Sequence, residues 1–442
     1  MGFTKYNYST TQINYFFLLL FIFWLPLSDN QLPLILAIWI ITSLIAGNLK
    51  TGLKVVYRNP IYIGLFVYFI LTLFAVVYSE NMKNGLLNVQ EKLSFIFFPF
   101  LLASSTPLIK ENSKKILLVF ALGNLVAALY CLAHALFLNL VIENGDIYIR
   151  YWAYDAFKEK SFITLVTERY NLFSYENLSI LKHPSYFSMY LVFSICILYA
   201  FLRQKIIRQF NYKIIAIIVI LFFSIVIFLL QSRAGFISLA FVYLMIPIIE
   251  IRRKLKKRYF FYLAITFFIF ASIFLSNPRV KLIVEDLKGI SVNTESSNLI
   301  NKDVRFQIWY SSILVIKENL WFGTSPAELT NELVNKYDHL GFKSASELRL
   351  NCHNQYLETF AGLGVFGFLS LIFILGYSFV ISIKHRNYLL FFLIIILAIN
   401  FLFESMLNRM AGTLFMMFFM SQFVFAKIPE FEGKSTVQIS DK

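Results

Sequence analysis

Apolar runs of about 15 to 25 residues recur from one end of the chain to the other, each long enough to cross a hydrocarbon core of about 30 Å. Twelve such runs predict membrane helices near 13–28, 32–47, 61–78, 93–104, 116–142, 184–202, 214–230, 234–250, 259–276, 360–383, 388–404 and 408–426. The runs are continuously apolar rather than alternating, which excludes a membrane β-barrel. The fourth run is short and contains Pro99, so a tilted, broken or re-entrant segment is the alternative there. The first run lacks a small-residue cleavage site, so it reads as a span rather than a signal peptide.

The polar segments between the runs orient the bundle. Every second loop is basic: Lys50, Lys54 and Arg58; Lys110, Lys114 and Lys115; Arg203, Lys205, Arg208 and Lys213; the run from Arg252 to Arg258; Lys384 and Arg386. Positive loops stay on the cytoplasmic side, so both termini are expected there. Of the opposite loops, two are long, 143–183 and 277–359. Long loops in compact proteins usually carry function. The expected organisation is spans 1–5 in residues 1–142, a periplasmic loop at 143–183 and spans 6–9 in 184–276. A large, partly helical periplasmic loop follows at 277–359, then spans 10–12 in 360–427 and a polar cytoplasmic tail at 428–442. No internal repeat is visible, which disfavours transporter folds built from two halves.

Composition agrees with this pattern. The chain of 442 residues is 58% hydrophobic and 18% aromatic, with a mean hydropathy of +0.68. A soluble domain would need far more polar surface. The net charge of +15 is mostly the topology signal, so nucleic acid is not an expected partner, despite "RRKLKKR". Cys131, Cys196 and Cys352 do not form a disulfide framework. The spans are almost free of ionisable residues; His134 is the main exception, read as a packed histidine. A transport pathway needs more such groups at depth.

The candidate functional residues fall on the outward side. They are Glu91 and Lys92 in "NVQEKLSFIFFPF", His183 in "LKHPSYFSMYL", Arg233 in "LLQSRAGFISL", and Arg305 and Trp309 in "DVRFQIWYSS". His353 and Asn354 follow in "HNQYLETFAGLGVFG", and Glu404 and Arg409 in "FESMLNRMAG". Arg233 lies in a very short turn between two strongly apolar spans, where a charge is costly; it serves either an anion site or a lipid phosphate. Arg305 and Trp309 are four apart and share a helix face, which suits a site or an interfacial helix. His353, with Asn354, Tyr356 and Glu358, puts polar groups on the first turns of a membrane helix, and a histidine there can accept a proton. "GLGVFG" matches a dinucleotide fingerprint but lacks the strand that the fingerprint needs. Its glycines permit close helix packing or the approach of a lipid ligand. "LWFGTSP", with Trp321 and Gly323, reads as a turn. No metal motif appears in the outward loops, and no cofactor is expected; Asp29 is the one carboxylate held in reserve as a base.

The turn "SRAG", the segment "VRFQIW", the stretch "HNQYLETFAGLGVFG", and the flanking "HPSYFSMYL" and "ESMLNRMAG" together resemble the O-antigen ligase/polymerase superfamily. The resemblance covers most of the chain and rests on the order, spacing and topology of these motifs. It implies an all-α polytopic, GT-C-like membrane glycosyltransferase of an inner membrane, with its active site on the periplasmic face. The donor would be a glycan on undecaprenyl diphosphate. The acceptor would be lipid A–core oligosaccharide for a ligase, a growing lipid-linked glycan for a polymerase, or Ser/Thr for a protein O-oligosaccharyltransferase. By position, Arg233 and Arg305 would bind the diphosphate and His353 would be the base or acceptor-orienting group. Lys92 would also face the diphosphate, and His183, Trp309, Asn354, Glu404 and Arg409 would line the substrate site. Trp152 and Trp309 are possible sugar platforms.

Overall fold

The computed structural model describes residues 8–105, 107–143, 146–149, 173–251 and 304–425. The expected ninth span at 259–276, the "RRKLKKR" run, Trp152, most of the 143–183 loop, the start of the 277–359 loop and the 428–442 tail lie outside these residues.

The chain begins with α1 (Tyr8–Trp24) and α2 (Leu32–Ala46), then the short α3 (Leu49–Tyr57), set at 102° to α2. Next come α4 (Pro60–Val77), α5 (Met82–Lys92), α6 (Ser94–Ala103), the five-residue α7 (Pro107–Glu111) and α8 (Ser113–Asn139). A two-stranded antiparallel hairpin, β1 (Leu140–Glu143) and β2 (Asp146–Ile149), follows directly. The short α9 (Tyr175–Leu178) leads to α10 (Pro184–Arg203), α11 (Phe210–Leu229) and α12 (Arg233–Ile251). The outer segment holds α13 (Val304–Glu318), α14 (Leu329–Leu340) and α15 (Lys343–Glu347). The long α16 (Gln355–Lys384), α17 (Tyr388–Phe403), a 3-10 turn at Met406–Asn408 and α18 (Met410–Val424) complete the chain.

Six helices among the described residues are long and apolar enough to cross a membrane, or seven if the bent α2–α3 pair is one span. Four more apolar helices are shorter, including Tyr388–Phe403 and Met410–Val424. The protein is therefore a helical, multi-pass membrane protein, although this count falls short of the expected twelve. Two details differ from the periodicity. The fourth span is Met82–Ala103, 22 residues and nearly twice the expected length, because the amphipathic α5 runs through Leu93 into α6, which holds Pro99 without ending there. The run at 116–142 ends in a strand, where Val141 and Ile142 are β-branched.

The centre of the bundle is α10, in which residues 184–198 are buried without interruption. A helix apolar on every side is what a fully surrounded position requires. It packs against α8, α11, α12 and α17. Phe120, Phe193, Phe415 and Phe419 form a ring cluster where α8, α10 and α18 meet. By contrast α11 is mostly exposed, with Ile214, Ile217, Ile218, Leu221 and Ile225 on its surface, as expected of a helix against acyl chains.

A second, separate core forms outside the spans. Ile308, Val315, Leu329, Leu333, Tyr337 and Phe342 from α13 to α15 pack with Cys352 and Ala361. This cap is locked to the bundle by the "LWFGTSP" turn. At Gly364 the α16 backbone leaves helical geometry (φ 66°, ψ −167°), a region essentially restricted to glycine. The turn occupies the break: Val365 N–H donates to the Leu320 carbonyl, and Thr324 N–H donates to the Ala361 carbonyl, both at 2.9 Å. A Cβ on Gly364 would lie 2.1 Å from the Trp321 carbonyl oxygen. Gly364 of "GLGVFG" thus admits the protein's own backbone, and Trp321 and Gly323 form a turn as expected.

Candidate active site

The site is built where the start of α16 meets the end of α17. Asn354 caps α16, its side-chain oxygen accepting from Tyr356 N–H (2.9 Å) and Leu357 N–H (3.2 Å). This geometry holds the preceding residue, His353, at φ 42°, an unusual conformation for a residue with a side chain and one that clusters at functional sites. On the facing element, α17 stops at Phe403, and the chain turns through Glu404 to Asn408 before α18 begins.

Glu404 and His353 meet across this gap, with Nδ1 of His353 3.0 Å from Oε1 of Glu404. Glu404 is buried and also accepts from Ser405 N–H. Burial alone would raise its carboxyl. The His353 hydrogen bond and the positive fields of His353, His183 and Arg305 outweigh burial and hold it below the usual carboxylate range. An ionised Glu404 accepts a hydrogen bond from Nδ1–H of His353, which leaves the lone pair on Nε2. A carboxylate that fixes the imidazole tautomer in this way makes Nε2 a proton acceptor.

A second carboxylate organises both sides of the gap. Glu358 lies one turn into α16 and is buried. It accepts from Cys352 N–H (3.1 Å), Ser405 Oγ (2.9 Å) and Asn408 Nδ2 (2.6 Å). Cys352 adjoins His353, and Ser405 adjoins Glu404, so one side chain ties the two halves of the pair together. Beside it, Gln355 accepts from Leu407 N–H and donates to Thr359. Lys92, from α5, reaches the Leu407 carbonyl at 2.5 Å and has Glu91 at 3.5 Å. Its ammonium is buried and holds the 404–408 turn from the opposite side.

The remaining candidates fall around this centre. His183 caps α10, its Nδ1 accepting from Ser185 N–H, and Glu176 lies 3.6 Å from its Nε2. Burial lowers its protonation range; Glu404 and Glu176 counter that effect, while His353 and Arg409 add to it. Arg409 is exposed and acts electrostatically on both His183 and Glu91. Arg305, half-buried at the start of α13, lies 6.0 Å from the centre of the Phe403 ring. Arg233 opens α12, where Ser232 Oγ accepts from Gly235 N–H, and Gly235 sits against Ser188 of α10. Five residues further into α12, Ser238 bonds Asn400 at 3.1 Å. Glu404 lies four residues beyond Asn400, at the end of α17 that meets His353, and Gly235 packs on Ser188 near the His183 end of α10, so Arg233 and Glu404 stand at the same end of the bundle.

The structure therefore gathers His353, Glu404, His183, Arg305 and Arg409 around one point, with Lys92 behind it. Asn354 is committed to capping α16. Trp309 packs with Phe306 on the outer core. Asp29 is ion-paired with the buried Lys182. Cys352 is buried, and burial, with the nearby Glu358, raises its thiol well above the ordinary range; it is no nucleophile. His134, in α8, stacks on Tyr130. Among the described residues, no group of three or more His, Cys, Asp or Glu is arranged to hold a metal ion. The organising roles of Glu358, Gln355 and Asn408 were missed in the sequence. The one available signal was a carboxylate at the head of a membrane helix, a placement that demands partners.

Residues 216–372 match the family model described as O-antigen ligase. That stretch carries Arg233, Arg305 and His353, whereas Lys92, His183, Glu404 and Arg409 lie outside it. A comparison with curated proteins finds no match. Over that stretch the chain is similar to the O-antigen ligase family, in agreement with the motifs and the multi-pass helical fold.

Proposed function

We propose that the protein is an O-antigen ligase. It transfers a glycan from undecaprenyl diphosphate to lipid A–core oligosaccharide at the periplasmic face of an inner membrane. The observation that carries this reading is the His353–Glu404 pair, set among Arg305, His183 and Arg409 at one end of a membrane bundle.

The chemistry follows from these groups. Nε2 of His353 accepts the proton of the acceptor hydroxyl as its oxygen attacks the anomeric carbon. The bond from that carbon to the diphosphate oxygen breaks, and negative charge develops on the departing diphosphate. Arg233 and Arg305 receive that charge through forked, charge-assisted hydrogen bonds. Glu404 stabilises the imidazolium formed on His353. Arg409 and His183 extend the positive surface towards the donor, and Lys92 acts by holding the Leu407 turn. Attack from the face opposite the leaving group inverts the anomeric centre. The bundle surface accommodates the polyprenyl chain, and the outer cap faces the glycan.

A lipopolysaccharide gel, with a blot for lipid-linked glycan, tests the assignment in cells lacking the gene. Bare lipid A–core with long polymer accumulating on the carrier supports the ligase. Core bearing a single repeat, with no long polymer, assigns a polymerase. An unchanged lipopolysaccharide with loss of glycoprotein assigns a protein O-oligosaccharyltransferase. Unchanged glycan profiles throughout would refute the transferase reading. Complementation with His353→Ala is expected to restore no transfer while leaving donor binding intact.

A further inference from the structure

The basic helix α3 lies at the end of the bundle away from the candidate site. Asp29, just before α2, pairs with Lys182 beside the site. The 15 residues of α2 then carry the chain about 22 Å to its far end, where it bends by 102° into α3. There α3 is pinned to the end of α6. Asn48 N–H donates to the Ser104 carbonyl at 2.9 Å, and Gly52 approaches Ser104 so closely that a Cβ would overlap its hydroxyl. Gly52 and Val56 form the buried contact face.

The rest of the helix surface divides into two stripes. Leu49, Leu53 and Tyr57, spaced four apart, are 36%, 58% and 72% exposed. Lys50, Lys54 and Arg58 repeat the same spacing one residue later and are also exposed, so their stripe lies about 100° further round. The protein contact face lies on the other side of the apolar stripe. With α3 lying across the bundle axis, an apolar stripe turned towards the acyl layer would place the basic stripe sideways, away from the protein, at the depth of lipid headgroups. An interfacial helix has this distribution, and basic side chains with long apolar stems suit it.

We propose that α3 is a lipid-reading helix, with Lys50, Lys54 and Arg58 binding the phosphates of anionic phospholipids in the cytoplasmic leaflet. The leaflet follows from the basic character of this loop and its alternates. The complementarity is of charge and of depth. Leu49, Leu53 and Tyr57 contact the acyl chains of the lipids whose headgroups the cations engage. Each engaged basic residue enriches anionic lipid locally by about five-fold at low salt, an effect confined to about a Debye length.

The test uses the full chain in phosphatidylcholine vesicles containing phosphatidylglycerol, with a bimane fluorophore on Thr51→Cys beside the basic stripe. The native cysteines are buried and do not compete for label. Quenching by acyl-brominated phosphatidylglycerol is compared with quenching by brominated phosphatidylcholine at equal mole fraction. Several-fold stronger quenching by the anionic lipid is expected, falling to parity in K50Q/K54Q/R58Q and at high salt. A control carrying Lys205→Gln and Lys213→Gln on another basic loop is expected to retain the preference. Equal quenching by the two lipids, a preference that survives the triple substitution, or its equal loss in the control would overturn the proposal.

Discussion

Replacing Glu358 with alanine removes three hydrogen bonds at one point: those from Cys352 N–H, Ser405 Oγ and Asn408 Nδ2. Bonds to a charged acceptor contribute about 1.5 to 3 kcal/mol each, and a buried donor left unpaired costs about 1 to 3 kcal/mol. Entering water and the relieved desolvation of the carboxylate offset much of the gross sum, leaving a net cost of about 3 kcal/mol. That cost falls on the two backbones that present His353 and Glu404, whose 3.0 Å contact then loosens. Misplacement of a catalytic group by about 1 Å lowers turnover about 100-fold. Glu358→Gln gives a different outcome. Its carbonyl oxygen accepts from Cys352 and Ser405, and Asn408 turns its amide to offer an oxygen to the new NH2 group. In a purified transfer assay, Glu358→Ala is expected to lose about 100-fold in kcat with donor KM nearly unchanged. Glu358→Gln is expected to stay within about ten-fold of the parent, because its bonds are kept. Equal kcat in the two variants, or a loss expressed only in KM, would refute the clamp.

Further predictions concern the electrostatics, the kink and the diphosphate site. Glu404 is held below its unfolded value, near about 4.3, so its stabilisation is present above that pH and is lost as pH falls through the folded value. Burial places His183 below its unfolded value of about 6.5, so acidification below that pH also favours unfolding. Melting scans in detergent should show Tm falling as pH drops from 7 to 4, with His183→Gln flattening the upper part and Glu404→Gln the lower; a flat parent profile would contradict both shifts. Gly364→Ala should cost about 3 kcal/mol or more through its positive φ and the clash with Trp321. Gly362→Ala, whose Cβ has ordinary 3.4 Å contacts with Pro326, should fold normally, and equal thermal stability of the two variants would argue against the kink. Arg233→Ala and Arg305→Ala should weaken donor binding at least ten-fold, with donor affinity measured separately from turnover. Activity should persist in chelator; loss restored by added Mg²⁺ or Mn²⁺ would bring Asp29 back as a metal-dependent base.

The hydrophobic pattern by itself determined that this is a helical bundle spanning a membrane, because long apolar runs have no other stable place to go. The alternating basic loops gave an expected orientation, and the outward motifs named His353, Glu404, Arg305 and His183 as candidates. Their partnership was not legible. His353 and Glu404 are separated by 51 residues and meet only because α16 and α17 pack side by side and end together. In the sequence Glu358 is one of several polar groups on the first turns of a membrane helix; only the fold brings Ser405 and Asn408 to it, beside the neighbouring Cys352 N–H. The same is true of "GLGVFG", whose small residues permitted several kinds of close approach. Only the tertiary structure showed that the protein's own 320–326 turn fills the break at Gly364. Local spacing encodes helices and their faces through the 3.6-residue period. Which face meets which is set by packing between distant segments, and the chemistry of this site lies in those contacts.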